Sequence, residues 1–432
     1  MGYKFFLKIA IVALFAVLFT PVAFACSMYK ITVGNKTIVG NNEDSWGRDA
    51  SIWFEPGKDG KYGVVNVGYA RKHPNPDGAM NEYGLVFDGF TMQHKPNIPA
   101  RDNTKGDFAY PLIKTIMQQC KTVDEVYTFL EKLNLHVLNG SVIFNGGMLL
   151  FVDKTGQYLV VEATKMTRGN DAQFLLANFS VAETKDVIKI TMERYCKGVA
   201  FLQNKSLDTG LPFCTALSDT MSVSRPKIGD GTLYTSIYDL ENGLIHLYFY
   251  HDFSKRITFT LKDELAKGEH TYSFANLFPN NKNYEKLISY QTPQSNRAIF
   301  IFLIACVLLF LLSAVYFLIS FFKSKDVPYR FSRLALSVLG LAVGIYAYVL
   351  LRNEPIFFFP SPYQDKGSTL ISLTSYLPIV LLLAIIPLLV MMVKIFKQKK
   401  WSGLTRWLFA ANNLAFLILL AFFTYWKLFV IF

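Results

Sequence analysis

The chain has 432 residues, 52% of them apolar, and a formal net charge of +12, a length that accommodates two or three domains. The charge does not indicate nucleic acid, because many lysines and arginines flank long apolar runs, where they anchor helix ends, and no recognition motif accompanies them. Residues 27–297 are mixed and polar, whereas residues from 298 onward are dominated by apolar runs, so one globular domain precedes one membrane domain.

In chain order, Lys4 and Lys8, the apolar run Ile9 to Phe19 and then Pro21 have the pattern of a secretory signal. The small-x-small stretch Ala23-Phe24-Ala25 predicts cleavage before Cys26, so residues 1–25 are expected to be removed. Cys26 would then carry a thiol and a free α-amino group, of pKa about 7.7 to 8.0, on one residue. Nucleophile and base come together. Two other readings of Cys26 stand beside this one. It is a lipidated cysteine, against which Ala23 occupies the position where a lipobox prefers Leu, or it is a disulfide partner.

Beyond Cys26, Tyr29 to Val33 and Lys36 to Gly40 read as two β-branched strands around the turn Gly34-Asn35. The polar stretch Gly40-Asn41-Asn42-Glu43-Asp44 follows directly and returns Asp44 towards Cys26. Ser51 to Glu55 and Tyr62 to Val67 are short strands, and the turn cluster Asp77 to Gly84 leads into the strand Leu85 to Phe90. Helical periodicity marks Tyr110 to Gln119 and Val123 to Leu133, the latter with Thr122 and Glu125 at capping-box spacing. Ser141 to Phe144, Met148 to Asp153, Tyr158 to Glu162 and Phe174 to Asn178 are strand-like. Helices at Thr184 to Leu202 and Gly210 to Met221 and strands at Thr232 to Asp239, Leu244 to Tyr250 and Arg256 to Leu261 close the domain. This order predicts a layered α+β domain over 26–280, followed by a linker at 281–297.

The membrane domain, 298–432, has four uncharged runs at about 298–322, 334–351, 370–393 and 407–426, each long enough to cross roughly 30 Å of hydrocarbon as a helix. Lys323, Lys325, Arg330 and Arg333 follow the first run, and Lys394, Lys397, Lys399, Lys400 and Arg406 follow the third. The positive-inside rule puts these connections in the cytoplasm and the large domain outside it, at a bacterial inner membrane. Apart from Asn412 and Asn413 the spans carry no strongly polar group in their cores. This disfavours transport and leaves anchoring, or packing against a protein partner.

The five cysteines, Cys26, Cys120, Cys196, Cys214 and Cys306, have no metal-ligand spacing, so no metal is expected, and no motif calls for a cofactor. Cys196 and Cys214 are either a disulfide or buried thiols, and Cys306 is a packing residue of an apolar helix. Taken singly, Asn81 and Asn178 fit turns as well as function, and Asp44 fits a loop acid. None of the six histidines pairs with Cys26 at a known catalytic spacing.

Taken together, Cys26, Gly40-Asn41-Asn42-Glu43-Asp44, the segment Asp77-Gly78-Ala79-Met80-Asn81-Glu82-Tyr83-Gly84-Leu85 and Leu176-Ala177-Asn178-Phe179 resemble the N-terminal-nucleophile hydrolases of the choloylglycine hydrolase and penicillin V acylase group. The resemblance spans about residues 26–260. It implies an αββα sandwich and hydrolysis of linear, non-peptide carbon–nitrogen amide bonds in N-acylated small molecules. The relatives include acyltransferases. Residue by residue, it makes Cys26 the nucleophile, Asp44 the orienting carboxylate, Asn81 an oxyanion donor, Asn178 a second asparagine near the nucleophile, and Arg225 a late active-site arginine. Asn41 and Asn42 become substrate contacts. Asn41 departs from the pattern, which has arginine there, and this keeps open a catalytically inactive sensor or assembly module. The chemistry itself needs a thiolate attacking an amide carbonyl and asparagine N–H groups that stabilise the oxyanion without bringing a competing charge.

Overall fold

The computed structural model describes residues 26–69, 76–92, 100–107, 111–135, 147–203, 205–323, 329–365, 368–399 and 401–429. The expected signal at 1–25 and the expected strand Ser141 to Phe144 lie outside them. The chain divides into two compact units, one ending at Ile288 and the other running from Ser289.

In the first unit, β1 (Ser27–Val33) and β2 (Lys36–Ser45) are joined by the two-residue turn Gly34-Asn35. Gly34 has a φ of 58°, a conformation that glycine adopts without a Cβ penalty and that suits the twist of a tight hairpin. The chain continues through β3 (Ser51–Glu55), β4 (Val64–Gly68), β5 (Gly78–Asn81), β6 (Val86–Thr91), β7 (Gly147–Val152), β8 (Tyr158–Val161), β9 (Met166–Gly169) and β10 (Gln173–Leu176). It ends in β11 (Gly231–Asp239), β12 (Leu244–Phe249), β13 (Asp252–Thr260) and β14 (His270–Ser273). These form two antiparallel sheets, one ordered β10-β1-β2-β11-β12-β13 and the other β14-β3-β4-β5-β6-β7-β8-β9.

The strand period of two decides what each face meets. Tyr29, Ile31, Ile38 and Ile237 point from the six-stranded sheet into a core with α3 (Glu193–Gln203) and α4 (Leu211–Met221). Ala79, Phe87, Leu149 and Phe151 point from the eight-stranded sheet into a second core with α1 (Leu112–Gln119) and α2 (Val123–Leu130). The remaining faces oppose each other. Thr37 Oγ1 of β2 donates to the Lys154 carbonyl in the β7–β8 turn at 3.0 Å, and a Cβ on Gly78 of β5 would stand 3.3 Å from the Tyr238 hydroxyl of β11. The layers are therefore α, β, β, α.

One glycine sets the hairpin's packing. A Cβ on Gly40 would lie 2.2 Å from Tyr29 Cζ, so only glycine there lets the cross-strand tyrosine lie flat. Its hydroxyl then donates to the Cys214 carbonyl at 2.6 Å. The capping signal at α2 is real: Thr122 Oγ1 accepts from Glu125 N, and Glu125 Oε2 accepts from Lys121 N at 2.6 Å.

Several elements differ from expectation. Asp77 to Gly84 contains a strand, β5, because Gly78 to Asn81 is fully buried and pairs with both neighbours. Residues 184–192 form loop and a single 3₁₀ turn instead of the start of a helix, which begins at Glu193. β9 and β14 form without a sequence signal, being four-residue strands at sheet edges with mixed polarity. Short helices α5 (Leu261–Ala266), α6 (Phe274–Leu277) and α7 (Lys282–Ser289) follow β13, the last within the expected linker. All five cysteines are free, with Cys196 exposed and Cys214 buried, so the disulfide alternative is not realised.

The second unit holds α8 (Arg297–Lys323), α9 (Arg330–Arg352), α10 (Thr369–Thr374), α11 (Leu377–Gln398) and α12 (Gly403–Tyr425). With α10 and α11 taken together, four segments among the described residues are long and apolar enough to cross a membrane. Gly340 and Gly344, at small-xxx-small spacing on α9, bring it against Phe310 of α8. Asn412 Nδ2 donates to Ser313 Oγ at 2.8 Å and to the Leu408 carbonyl at 2.7 Å, so this polar group packs helices together. Arg333, expected in a connection, is buried in the first turn of α9, where it donates to Ser320 Oγ at 2.7 Å.

Candidate active site

Cys26 stands immediately before β1, and the hairpin register pairs Ser27 with Asn42. One step further, Cys26 faces Glu43, and its thiol donates to Glu43 Oε2 at 2.9 Å. Alternation sends both side chains into the space between the sheets. Asn41 lies on the same face of β2, with Tyr234 across from Glu43 and Ser236 across from Asn41 on β11. Asp77, just before β5, and Asp88 of β6 line the opposing sheet. Cys26, Glu43 and Asp88 are buried, and Asp77 is half-buried with its Oδ2 atom enclosed.

Their mutual proximity governs their protonation. Burial, and next the Glu43 charge and hydrogen bond, push the Cys26 thiol well up. Burial, followed by Asp77 and Asp88, likewise raises Glu43, while the thiol hydrogen bond pulls it down. Burial brings Asp77 up to about 7. Asp88 is raised by burial and by Asp77, against the Gly89 N–H and the Asn41 side chain. Carboxyls this close share protons rather than each holding a full charge.

A second group occupies the helix-facing side of the same sheet end. Asp44 Oδ1 accepts from Thr232 Oγ1 at 2.6 Å, and its other oxygen is 4.0 Å from Arg194 Nε of α3. Burial raises Asp44 to about 6, against the lowering effects of Arg194, Thr232 and Arg225. Arg225 forms an ion pair with Asp230, and its guanidinium lies 5.9 Å from the Trp46 ring centre. Gly231 allows this turn to close, since a Cβ there would fall 2.0 Å from the Val223 carbonyl oxygen.

The asparagines divide. Asn178 lies in the bend two residues past β10, whose last pair is Leu176 with Met28 of β1. It donates to the Thr91 carbonyl at 2.7 Å and accepts from Arg194, linking the end of β10 to the other sheet and to α3. Asn42 points to the helix layer, where it donates to the Ser218 carbonyl at 2.8 Å and accepts from Thr235 Oγ1 at 2.7 Å. Asn81 is elsewhere. Its two amide hydrogens go to the Met117 and Cys120 carbonyls at 2.9 and 2.8 Å, and its oxygen accepts from Tyr83 N and Leu85 N. That leaves no hydrogen for an oxyanion.

The structure therefore gathers Cys26, Asn41, Asp44, Asn178 and Arg225 around one sheet end and separates Asn81 from them. It adds Glu43, Asp77, Asp88 and Arg194, which sequence reasoning did not single out. A groove of about 370 Å³ lies between the edge strand β10 and α3, lined by Phe174, Leu175, Phe179, Val181, Tyr195 and Leu202 among others. Among the described residues, no cluster of His, Cys, Asp and Glu has a geometry fit to hold a metal ion.

No protein-family model and no curated protein sequence matches the chain. Among solved structures, it is similar to two variants of conjugated bile acid hydrolase from Clostridium perfringens. The first is 16% identical with a TM-score of 0.45, covering 60% of this chain and 98% of that one. The second is 17% identical with a TM-score of 0.44, covering 60% and 97%. The chain is also similar to penicillin V acylase from Agrobacterium tumefaciens, at 14% identity and a TM-score of 0.43, covering 57% of this chain and 90% of that one.

Proposed function

We propose that this chain is a membrane-anchored cysteine amidase that cleaves linear, non-peptide amide bonds of N-acylated small molecules outside the cytoplasm. The observation that carries this reading is the Cys26 thiol, hydrogen-bonded to a carboxyl group at 2.9 Å at the head of the strand β1. A sulfur attached to a proton acceptor is the minimum equipment for thioester chemistry. Removal of residues 1–25 would place an α-amino group on the same residue as a further proton acceptor. Asn178 supplies the uncharged amide suited to an oxyanion, and Asp44, held by Arg194 and Thr232, orients the chain end. The apolar groove between β10 and α3 suits a hydrophobic acyl group, and the four apolar helices hold the catalyst where such acyl chains partition.

The test is a hydrolysis screen of the full-length protein in detergent against N-acyl amino acids of graded chain length, conjugated bile acids and penicillin V. Amine release that disappears in Cys26→Ala, together with an intact mass beginning at an unmodified Cys26, is the expected result. A retained or lipidated N-terminus, or turnover that survives Cys26→Ala, overturns the reading. Acyl transfer to an added amine at the expense of hydrolysis would instead make the chain an N-acyltransferase.

A further inference from the structure

We infer that Glu43 is the catalytic base and acid for Cys26, taking the thiol's proton in the attack and returning it to the departing amine. This inference rests on the reading of Cys26 as the nucleophile. Glu43 Oε2 is 2.9 Å from Cys26 Sγ, hydrogen-bond distance for a proton transfer without an intervening water. The contact is built into the fold, because the two-residue turn fixes the β1–β2 register that puts these side chains opposite each other.

The surroundings suit a group that both takes and gives a proton. Asp77 and Asp88 face Glu43 from the opposing sheet, Asp44 follows it on β2, and the Tyr69 and Tyr234 phenols adjoin it. Burial and neighbouring negative charge make its carboxylate a stronger base than an exposed glutamate.

The step balances without a co-reactant other than water. The thiol proton passes to Glu43, the sulfur bonds to the amide carbonyl carbon, and the carbonyl electron pair moves to oxygen. As the carbonyl re-forms, the carbon–nitrogen bond breaks and the amine leaves with the proton from Glu43. In the second half Glu43 takes a proton from water, hydroxide adds to the thioester carbon, and the carbon–sulfur bond breaks. The departing thiolate recovers the proton from Glu43.

The experiment measures two rates on full-length native protein and Glu43→Gln across pH: amide cleavage, and alkylation of Cys26 by iodoacetamide followed by peptide mass. Gln cannot accept the proton, so cleavage should fall by about 100-fold or more. Gln also removes the negative charge that opposes thiolate formation, so the alkylation midpoint should move down by about one pH unit. A purely structural glutamate would not produce this split. Glu43→Asp keeps the charge on a shorter arm, and should give intermediate cleavage with the native alkylation midpoint, which serves if the Gln variant does not fold. An unchanged alkylation midpoint in the Gln variant, or cleavage in either variant at the native rate, overturns the role of Glu43. Alkylation needs no substrate, so a failed hydrolysis screen would sink the amidase reading while leaving the Glu43–thiol couple measurable.

Discussion

The two faces of one sheet end handle buried charge in opposite ways. On the helix side, Asp44 is near Arg194 and Asp230 is paired with Arg225, so each acid has a guanidinium to offset its burial. Between the sheets, Glu43, Asp77 and Asp88 face a thiol, an asparagine and tyrosines, and among the described residues no basic side chain pairs with them. The first arrangement holds geometry. Asp44 and Asp230 stay raised by burial all the same, but the second arrangement has no cation to limit its proton affinities, which suits acid–base chemistry more than stability. The contrast separates scaffold from chemistry within a few residues of strand.

The largest effect that would break this contrast is expected at Arg194. Arg194→Met should destabilise the first unit by roughly 3 to 5 kcal/mol, because it strands a fully buried Asp44 and frees Asn178. Chemical denaturation followed by tryptophan fluorescence measures it, and a loss below about 1 kcal/mol would place the pair among the weak surface type.

A smaller effect should appear with pH alone. Asp44 is raised to about 6 and Asp77 to about 7, above their unfolded values, so the folded state binds more protons through that window. Stability should then be greatest below about pH 4 and fall as pH rises through 6 and 7. Apparent melting temperatures at several pH values test the sign, and a rise across that interval would show that the acids are compensated.

The smallest effect separates the faces most sharply. Asp88→Asn removes an acid raised by burial and by Asp77 while keeping an acceptor for the Gly89 N–H. It should stabilise the protein at pH 8 by about 1 kcal/mol, where loss of an acid on the Arg194 side would do the reverse. The same denaturation curves measure it.

The sequence already held more of this site than its motifs suggest. Cys26 stood out by the signal-like pattern ahead of it and Asp44 by its place after the strand, and both are buried at one end of the β1–β2 hairpin. Glu43 reads as an ordinary strand residue, yet a two-residue turn at Gly34-Asn35 pairs Val33 with Lys36, and counting outward from it reaches Cys26 opposite Glu43. Arg194 had no such signal, because α3 is about 150 residues downstream of Asp44 and only tertiary packing joins them. Asn81 misled for a physical reason. An asparagine that ties a turn to two helix-end carbonyls has the same local sequence character as one that awaits a ligand. The four apolar helices were legible almost to their ends, since length and apolarity alone define them. Their pairing through Gly340 and Gly344 was not.

Gly40 shows how far the reach of this site extends. Its missing side chain is the space that Tyr29 fills, with 2.2 Å between the Tyr29 ring and where a Cβ would be, and Tyr29 lies on β1 three residues after Cys26. In a saturation scan scored by activity, every substitution at this position should rank with losses of Cys26 itself. A reader of that scan alone would draw the catalytic map one residue too large, counting as chemistry what is only room for a ring.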